Sequence, residues 1–370
     1  MRTITRVGFL TLAMLTGCIS MVNADTSKKP LPAKTQGLTG DSLFVVNGQD
    51  NTLSVIDPSK NAISATITLP KVRFPHHISL SPDGSKLALA APGADLSLGH
   101  DAASIGHGDM SMGEGQGAKM STDKTMAMNN SSVLVLDSRS GTKLLERKFS
   151  EMNHNAIFSR DSKEIWTGQM GSPGAVLVLD AKTLKLLKSI TVGKKPAEIT
   201  FSIDGKNAFV ANGQSNTVSV IDTRTKRLIK TIPVGKEPVG AWQGKDGLMY
   251  VDNETGKSLT AIDAKTLMVK RTYSLGFTPG MAATAPNSEL WVSDSENGKV
   301  AFYKPNSIDK LGELATGAGA HAIVFSKNGQ TGYVSNQNAN TVSVINVKSH
   351  MVTTNIAVGK KPNGMVWRAN

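Results

Sequence analysis

The residues of this chain best suited to chemistry are soft ones. Of its 370 residues, 15 are Met, 7 are His and 1 is Cys. The segment 92–131 reads PGADLSLGHDAASIGHGDMSMGEGQGAKMSTDKTMAMNNS and holds His100, His107, Met110, Met112, Met120, Met126 and Met128. A Met in a protein core has Leu, Ile and Val for neighbours; these have Gly, Ser, Asp and Lys. Thioethers are soft, uncharged ligands that suit Cu(I), and imidazole serves both copper oxidation states. Zinc asks for thiolate, imidazole or carboxylate in a closed set. Calcium asks for a denser array of oxygens than these scattered Asp residues offer. The expected cargo is copper, with Cu(I) favoured. The plain alternative is a Gly/Ser-rich flexible loop whose Met residues merely oxidise.

Such residues act together only if a scaffold gathers them. Here the scaffold is a repeat. NTLSVID ending at Asp57 returns as NTVSVID ending at Asp222 and NTVSVIN ending at Asn346, with weaker copies ending at Asp137, Asp180, Asp263 and Lys304. The period is about 42 residues, and one interval carries about 38 more, which is the Met/His segment. Each unit holds four short β-branched runs, here called a to d, separated by turn residues; in the best-formed unit they are 197–201, 207–211, 217–222 and 227–233. Four strands at this period predict propeller blades. The first unit lacks strand a, and the chain ends on an unpaired strand at 363–367. The spacing therefore predicts an all-β, seven-bladed β-propeller of four-stranded antiparallel blades, with the C-terminal strand completing the N-terminal blade.

Phe44-Val45-Val46-Asn47, Phe209-Val210-Ala211-Asn212, Tyr250-Val251-Asp252-Asn253 and Tyr333-Val334-Ser335-Asn336 resemble the YVTN-type propeller repeat. With NTVSVID and VGKKP beside them, residues 42–370 resemble the YncE-like periplasmic propeller family. That resemblance implies the same fold and an exported protein; the fold itself hosts binding modules and enzymes alike. Met110-x-Met112 and Met126-x-Met128, with His107 close by, resemble the Met/His-rich segments of bacterial periplasmic copper-handling proteins.

Aligning the units on their hairpin turns puts His76, His154, Ala197, Val239, Gly280, His321 and Asn363 on one position, where strand a begins. Strand a is innermost in a blade, so this position rings a channel mouth. Ring closure makes His321, Asn363, His76 and His154 consecutive. A single His there would be a hydrogen-bonded cap; an arc of three is a candidate metal site. His77, the next residue, is expected on the opposite side of the pleat. Glu198 and Asp252 are read as solvated loop carboxylates. The d–a and b–c connections of a four-stranded blade share one face, so the 92–131 segment is expected over this arc. Met152 and Met170 fall on the same face and, with Asn363, are candidates for additional contacts; of the seven His only His350 does not. The expectation is one copper site or capture surface, with rigid imidazoles from the ring and soft ligands from the loop. Nitrous oxide reductase, a seven-bladed propeller with a copper cluster held by channel His, is similar in this respect. Three ring His and no Cys-bearing electron-entry domain give no reason to expect its activity.

The N-terminus reads as an address. Arg2 and Arg6 precede an apolar run at 7–14, too short to span a bilayer as a mature helix. Leu15-Thr16-Gly17-Cys18 resembles a lipobox, which would lipidate Cys18, while Val22-Asn23-Ala24 resembles an ordinary cleavage site after residue 24. Both imply export to the periplasm, the first with an outer-membrane lipid anchor. The polar stretch 25–41 reads as a flexible linker. One Cys excludes a disulfide framework.

The net charge of +12 keeps a second class open: binding to nucleic acid, another polyanion or a protein partner in the periplasm. The Lys residues are spread through d strands and connectors, with no aromatic-interleaved basic stretch. No nucleophile elbow or Ser/His/Asp order appears, so a binding protein is expected before an enzyme; the chain is expected to be a monomer.

Overall fold

Runs such as TVSVID put β-branched residues on a pleated surface where both faces are covered, and Thr217–Asp222 is buried along its whole middle. The d-type runs are wetter: Arg227–Pro233 exposes most of its residues. That gradient from buried to exposed orders the strands of a blade from the centre outward. The computed structural model describes residues 38–96 and 131–370. Among them, 28 strands form seven four-stranded antiparallel sheets. No helix among the described residues is long and apolar enough to cross a membrane.

The innermost strands are Pro362–Arg368 in blade 1, Ile78–Leu80 in blade 2 and Ala156–Phe158 in blade 3. Pro196–Phe201, Pro238–Gln243, Pro279–Thr284 and Ala320–Phe325 follow in blades 4 to 7. Each packs against the next around the ring. Pro362–Arg368 pairs antiparallel with Ser42–Asn47, Leu43 opposite Trp367, so the C-terminal strand closes blade 1 as its spacing predicts. Among the described residues, closure leaves no strand of the inner wall unpaired. The insertion is one residue shorter than its sequence boundary: Ser131 already pairs with Phe149 in the strand Ser131–Asp137.

The repeated Asn and Gly explain each other. Asn47, Asn212 and Asn336 end strand b, fully buried, and donate Nδ2 to a Thr and a Ser hydroxyl on strand c. The Gly of each VGK-type connector lies on that amide: a Cβ on Gly359, Gly193 or Gly317 would stand 2.6, 2.7 or 2.9 Å from Asn47, Asn212 or Asn336. Beside them, each b–c turn donates a backbone hydrogen bond to its own blade's d–a connector, as from Gly48 to Lys361 and Gly213 to Lys195. These contacts hold both connections on one face and set where strand a begins.

Candidate metal centre

Strand a starts with an irregularity. Ala90 faces two residues at once: His76 N–H donates to Ala90 O at 2.9 Å, and Ala90 N–H donates to His77 O at 3.0 Å. This is a β-bulge, and a bulge re-aims side chains that a regular pleat would send apart. The rings of His76 and His77 come to 4.6 Å centroid to centroid. His77 therefore does not point away from the arc, contrary to the period-two expectation. The ladder slips at the same place in blades 4 to 7. Gly364 makes room for the pair, since a Cβ there would lie 3.0 Å from both His76 O and His77 Nδ1.

His154 of blade 3 completes the group. His76, His77 and His154 each bring a ring nitrogen within 4.8 Å of the others. His76 Nε2 and His154 Nε2 are 3.2 Å apart. Asn363 Nδ2 lies 2.6 Å from His76 Nδ1, and Glu198 Oε1 lies 2.8 Å from His154 Nδ1 and 3.1 Å from His77 Nε2. One assignment of tautomers satisfies the line: Asn363 donates to His76, His76 Nε2–H to His154, and His154 Nδ1–H to Glu198. Asn155 donates Nδ2 to Glu198 Oε2, and its amide also pairs with the backbone of Ile199, tying blade 3 to blade 4.

The group is interior, not a rim. His76, His77 and His154 are 6%, 9% and 2% exposed, and Glu198 and Asp252 are 2% and 0% exposed. The reading of these two carboxylates as solvated is thus wrong. Glu198 stands on the inner wall where strands converge, and Asp252 fills a position that is Val46, Ala90, Gly168, Ala211, Ser293 or Ser335 in the other blades. Burial pushes Glu198 up to about 7, against the electrostatic pull of the neighbouring His77 ring and the Asn155 hydrogen bond. Asp252 also rises to about 7 through burial, against hydrogen bonds from Trp242 and Gly240 N–H. Burial lowers His154 to about 3, which keeps its imidazole neutral and able to act as a ligand.

Two features suit a metal ion. Ligating imidazoles are commonly oriented by a carboxylate or carbonyl on their other nitrogen, as His154 is by Glu198. Asn363 Oδ1 is buried without a hydrogen-bond partner. Rotating that amide would set Oδ1 on a His76 Nδ1–H and leave His76 Nε2 as a donor atom beside that of His154.

Of the sequence candidates, the structure joins His76, His154 and Asn363. His321 stands further off, its ring centroid 5.9 Å from His77 and 6.4 Å from His76. Met152 and Met170 share a backbone hydrogen bond, and Met170 lines another cavity, of about 320 Å³, with Ala197, Glu237 and Val239. His100, His107, Met110, Met112, Met120, Met126, Met128 and Cys18 lie outside the described residues. His77, Glu198, Asn155, Trp242 and Asp252 went unrecognised. Reading the column one residue after the His arc, where His77, Asn155 and Glu198 stand together, would have found three of them.

Comparison with known proteins extends the fold. The family described as Domain of unknown function (DUF5074) matches residues 164–277. No curated protein matches the chain. The periplasmic gluconolactonase PpgL of Pseudomonas aeruginosa is similar over 90% of this chain and 99% of its own, with TM-score 0.68 and 15% identity. The dihydro-heme d1 dehydrogenase NirN in complex with DHE is similar over 91% and 77%, with TM-score 0.62 and 14% identity. Hydrazine synthase of Kuenenia stuttgartiensis is similar over 89% and 99%, with TM-score 0.63 and 16% identity. At such identities the likeness is one of fold, and with the seven closed blades it identifies the chain as a seven-bladed β-propeller.

Proposed function

We propose that this chain is an exported propeller that binds copper in its channel and serves copper homeostasis or delivery in the cell envelope. One observation carries the reading: three buried imidazoles with ring nitrogens within 4.8 Å of one another, the outer nitrogens of His76 and His154 held by Asn363 and Glu198. Imidazole suits copper, zinc, nickel and iron alike. The Met/His composition of residues 92–131 favours copper among them, with the insertion as capture segment and the imidazoles as the retaining site. A cavity of about 130 Å³ adjoins the group. That is room for an ion, well below the ~300–1,000 Å³ of pockets that take small organic molecules.

The test is metal analysis and copper titration of the purified full chain after dialysis, beside His154→Ala. Retained copper that His154→Ala loses supports the proposal. Copper binding indifferent to His154→Ala, or no copper binding together with salt-sensitive capture of a polyanion, contradicts it.

A further inference from the structure

The cavity beside the three imidazoles has walls of a different character. His77 and Glu198 stand on one side, and Trp242, Met281 and Met365 line the rest of its polarisable surface. Among the described residues no Lys or Arg lines the cavity, in a chain of net charge +12. With a buried carboxylate on its wall, such a chamber favours a cation over an anion.

The wall is built with care for its polar contacts. Met281 Sδ accepts the N–H of Ile323 at 3.2 Å, which fixes the sulfur and leaves it a second lone pair. Trp242 Nε1–H donates to Asp252, a fully buried carboxylate that also accepts from Gly240 N–H at 3.2 Å. Gly240 is required by this arrangement, since a Cβ would lie 2.3 Å from both Asp252 Oδ1 and Trp242 Nε1. A buried carboxylate is costly, and packing alone would not call for one. Hydrogen-bonded to the indole, it fixes the ring and enriches its π face. The centroids of Trp242 and His77 are 6.2 Å apart, so a cation between the rings falls within the ~6 Å reach of a cation–π contact.

We infer that this chamber is a second, softer metal station, which takes Cu(I) or its analogue Ag(I) through the thioethers of Met281 and Met365 and the His77 imidazole, under the face of Trp242. The inference rests on the reading that the imidazole group takes metal, and it deepens that reading by naming an oxidation state for the adjoining chamber. Thioethers select the soft monovalent ion; the imidazoles with Glu198 accept the divalent one.

Ag(I) is the probe, added to the full chain, and the signal is Trp242 fluorescence, taken as the difference between wild type and Trp242→Phe. Silver held elsewhere leaves that difference unchanged. Met281→Leu with Met365→Leu conserves volume but removes the sulfur that accepts the Ile323 N–H, so Cu(II) binding at the imidazoles serves as the check that the double variant is folded. The double variant is expected to weaken Trp242 quenching at least about tenfold, the scale of losing even an outer partner of a metal site, while Cu(II) binding at the imidazoles is retained. Quenching that persists in the double variant overturns the inference. So does a wild type that binds Cu(II) without Trp242-specific quenching by silver. A wild type that binds neither ion overturns the copper reading as well.

Discussion

His154 Nδ1 lies 2.8 Å from Glu198 Oε1, and this contact decides which way the imidazole faces. With its N–H spent on the carboxylate, His154 turns the Nε2 lone pair toward His76, across a blade boundary. Two blades thus supply the donor atoms, and blades 1 and 4 supply the groups that aim them. The arrangement needs a closed ring, because Asn363 belongs to the last strand of the chain.

Asn363 controls His76 as Glu198 controls His154. Asn363→Asp would place a carboxylate on His76 Nδ1, fix the proton there and free Nε2. Copper affinity is expected to rise, and Asn363→Leu to lower it, each by about tenfold or more. Competition titration against a chelator measures both. Equal affinities in the two variants would exclude a role for Asn363 in aiming His76.

His77 is expected to matter more than His321, although only the latter shares the aligned column with His76 and His154. His77 belongs to the group with ring nitrogens within 4.8 Å, and His321 does not. Copper titration of His77→Ala and His321→Ala should show the larger loss for His77, by about tenfold or more. The reverse order would restore the arc read from sequence.

The metal-free protein should have an unusual stability profile. His154 falls from 6.5 to about 3 on folding, so its contribution is full above pH 6.5 and is lost as pH falls toward 3. Glu198 rises from 4.5 to about 7, so its contribution is full below pH 4.5 and is lost as pH rises toward 7. Asp252, raised from 3.8 to about 7, and Glu254, also raised by burial, add slopes of the Glu198 sign, so stability should fall as pH rises from about 4.5 to 6.5 despite His154. Glu198→Gln should make that fall shallower, by up to about 1.4 kcal/mol per pH unit. Denaturant unfolding across pH measures it, and an equally steep fall in the variant would refute the assignment.

The fold has its own test in the Asn–Gly pair of blade 4. Asn212→Ala strands the Thr217 and Ser219 hydroxyls, and Gly193→Ala forces a Cβ to 2.7 Å from Asn212. Each is expected to cost about 1–3 kcal/mol. Because they act on one contact, the double variant should cost less than the sum. Additive losses in chemical denaturation would show that the two residues are independent.

The fold was legible because most blades repeat one solution. The Asn that ends strand b and the Gly beneath it recur at a period a single sequence displays. The column of His76, His154 and His321 was legible for the same reason. His77 was not, because the bulge opposite Ala90 overturns the alternation from which its direction was read. Glu198 and Asp252 look like any loop-flanking carboxylates until the ring brings strands from different blades together. Asp252 did leave a trace, as a lone acid in a column of small residues. The contact between Asn363 and His76 spans 287 positions and follows only from ring closure.

The central claim is that imidazoles of the channel hold the copper. Electron paramagnetic resonance of the Cu(II)-loaded full chain tests it most directly, since coordinated imidazole nitrogens leave their couplings on the copper signal. The wild type should show couplings from more than one imidazole, reduced in number by His154→Ala and by His76→Ala. A copper signal with identical nitrogen couplings in all three proteins would contradict it.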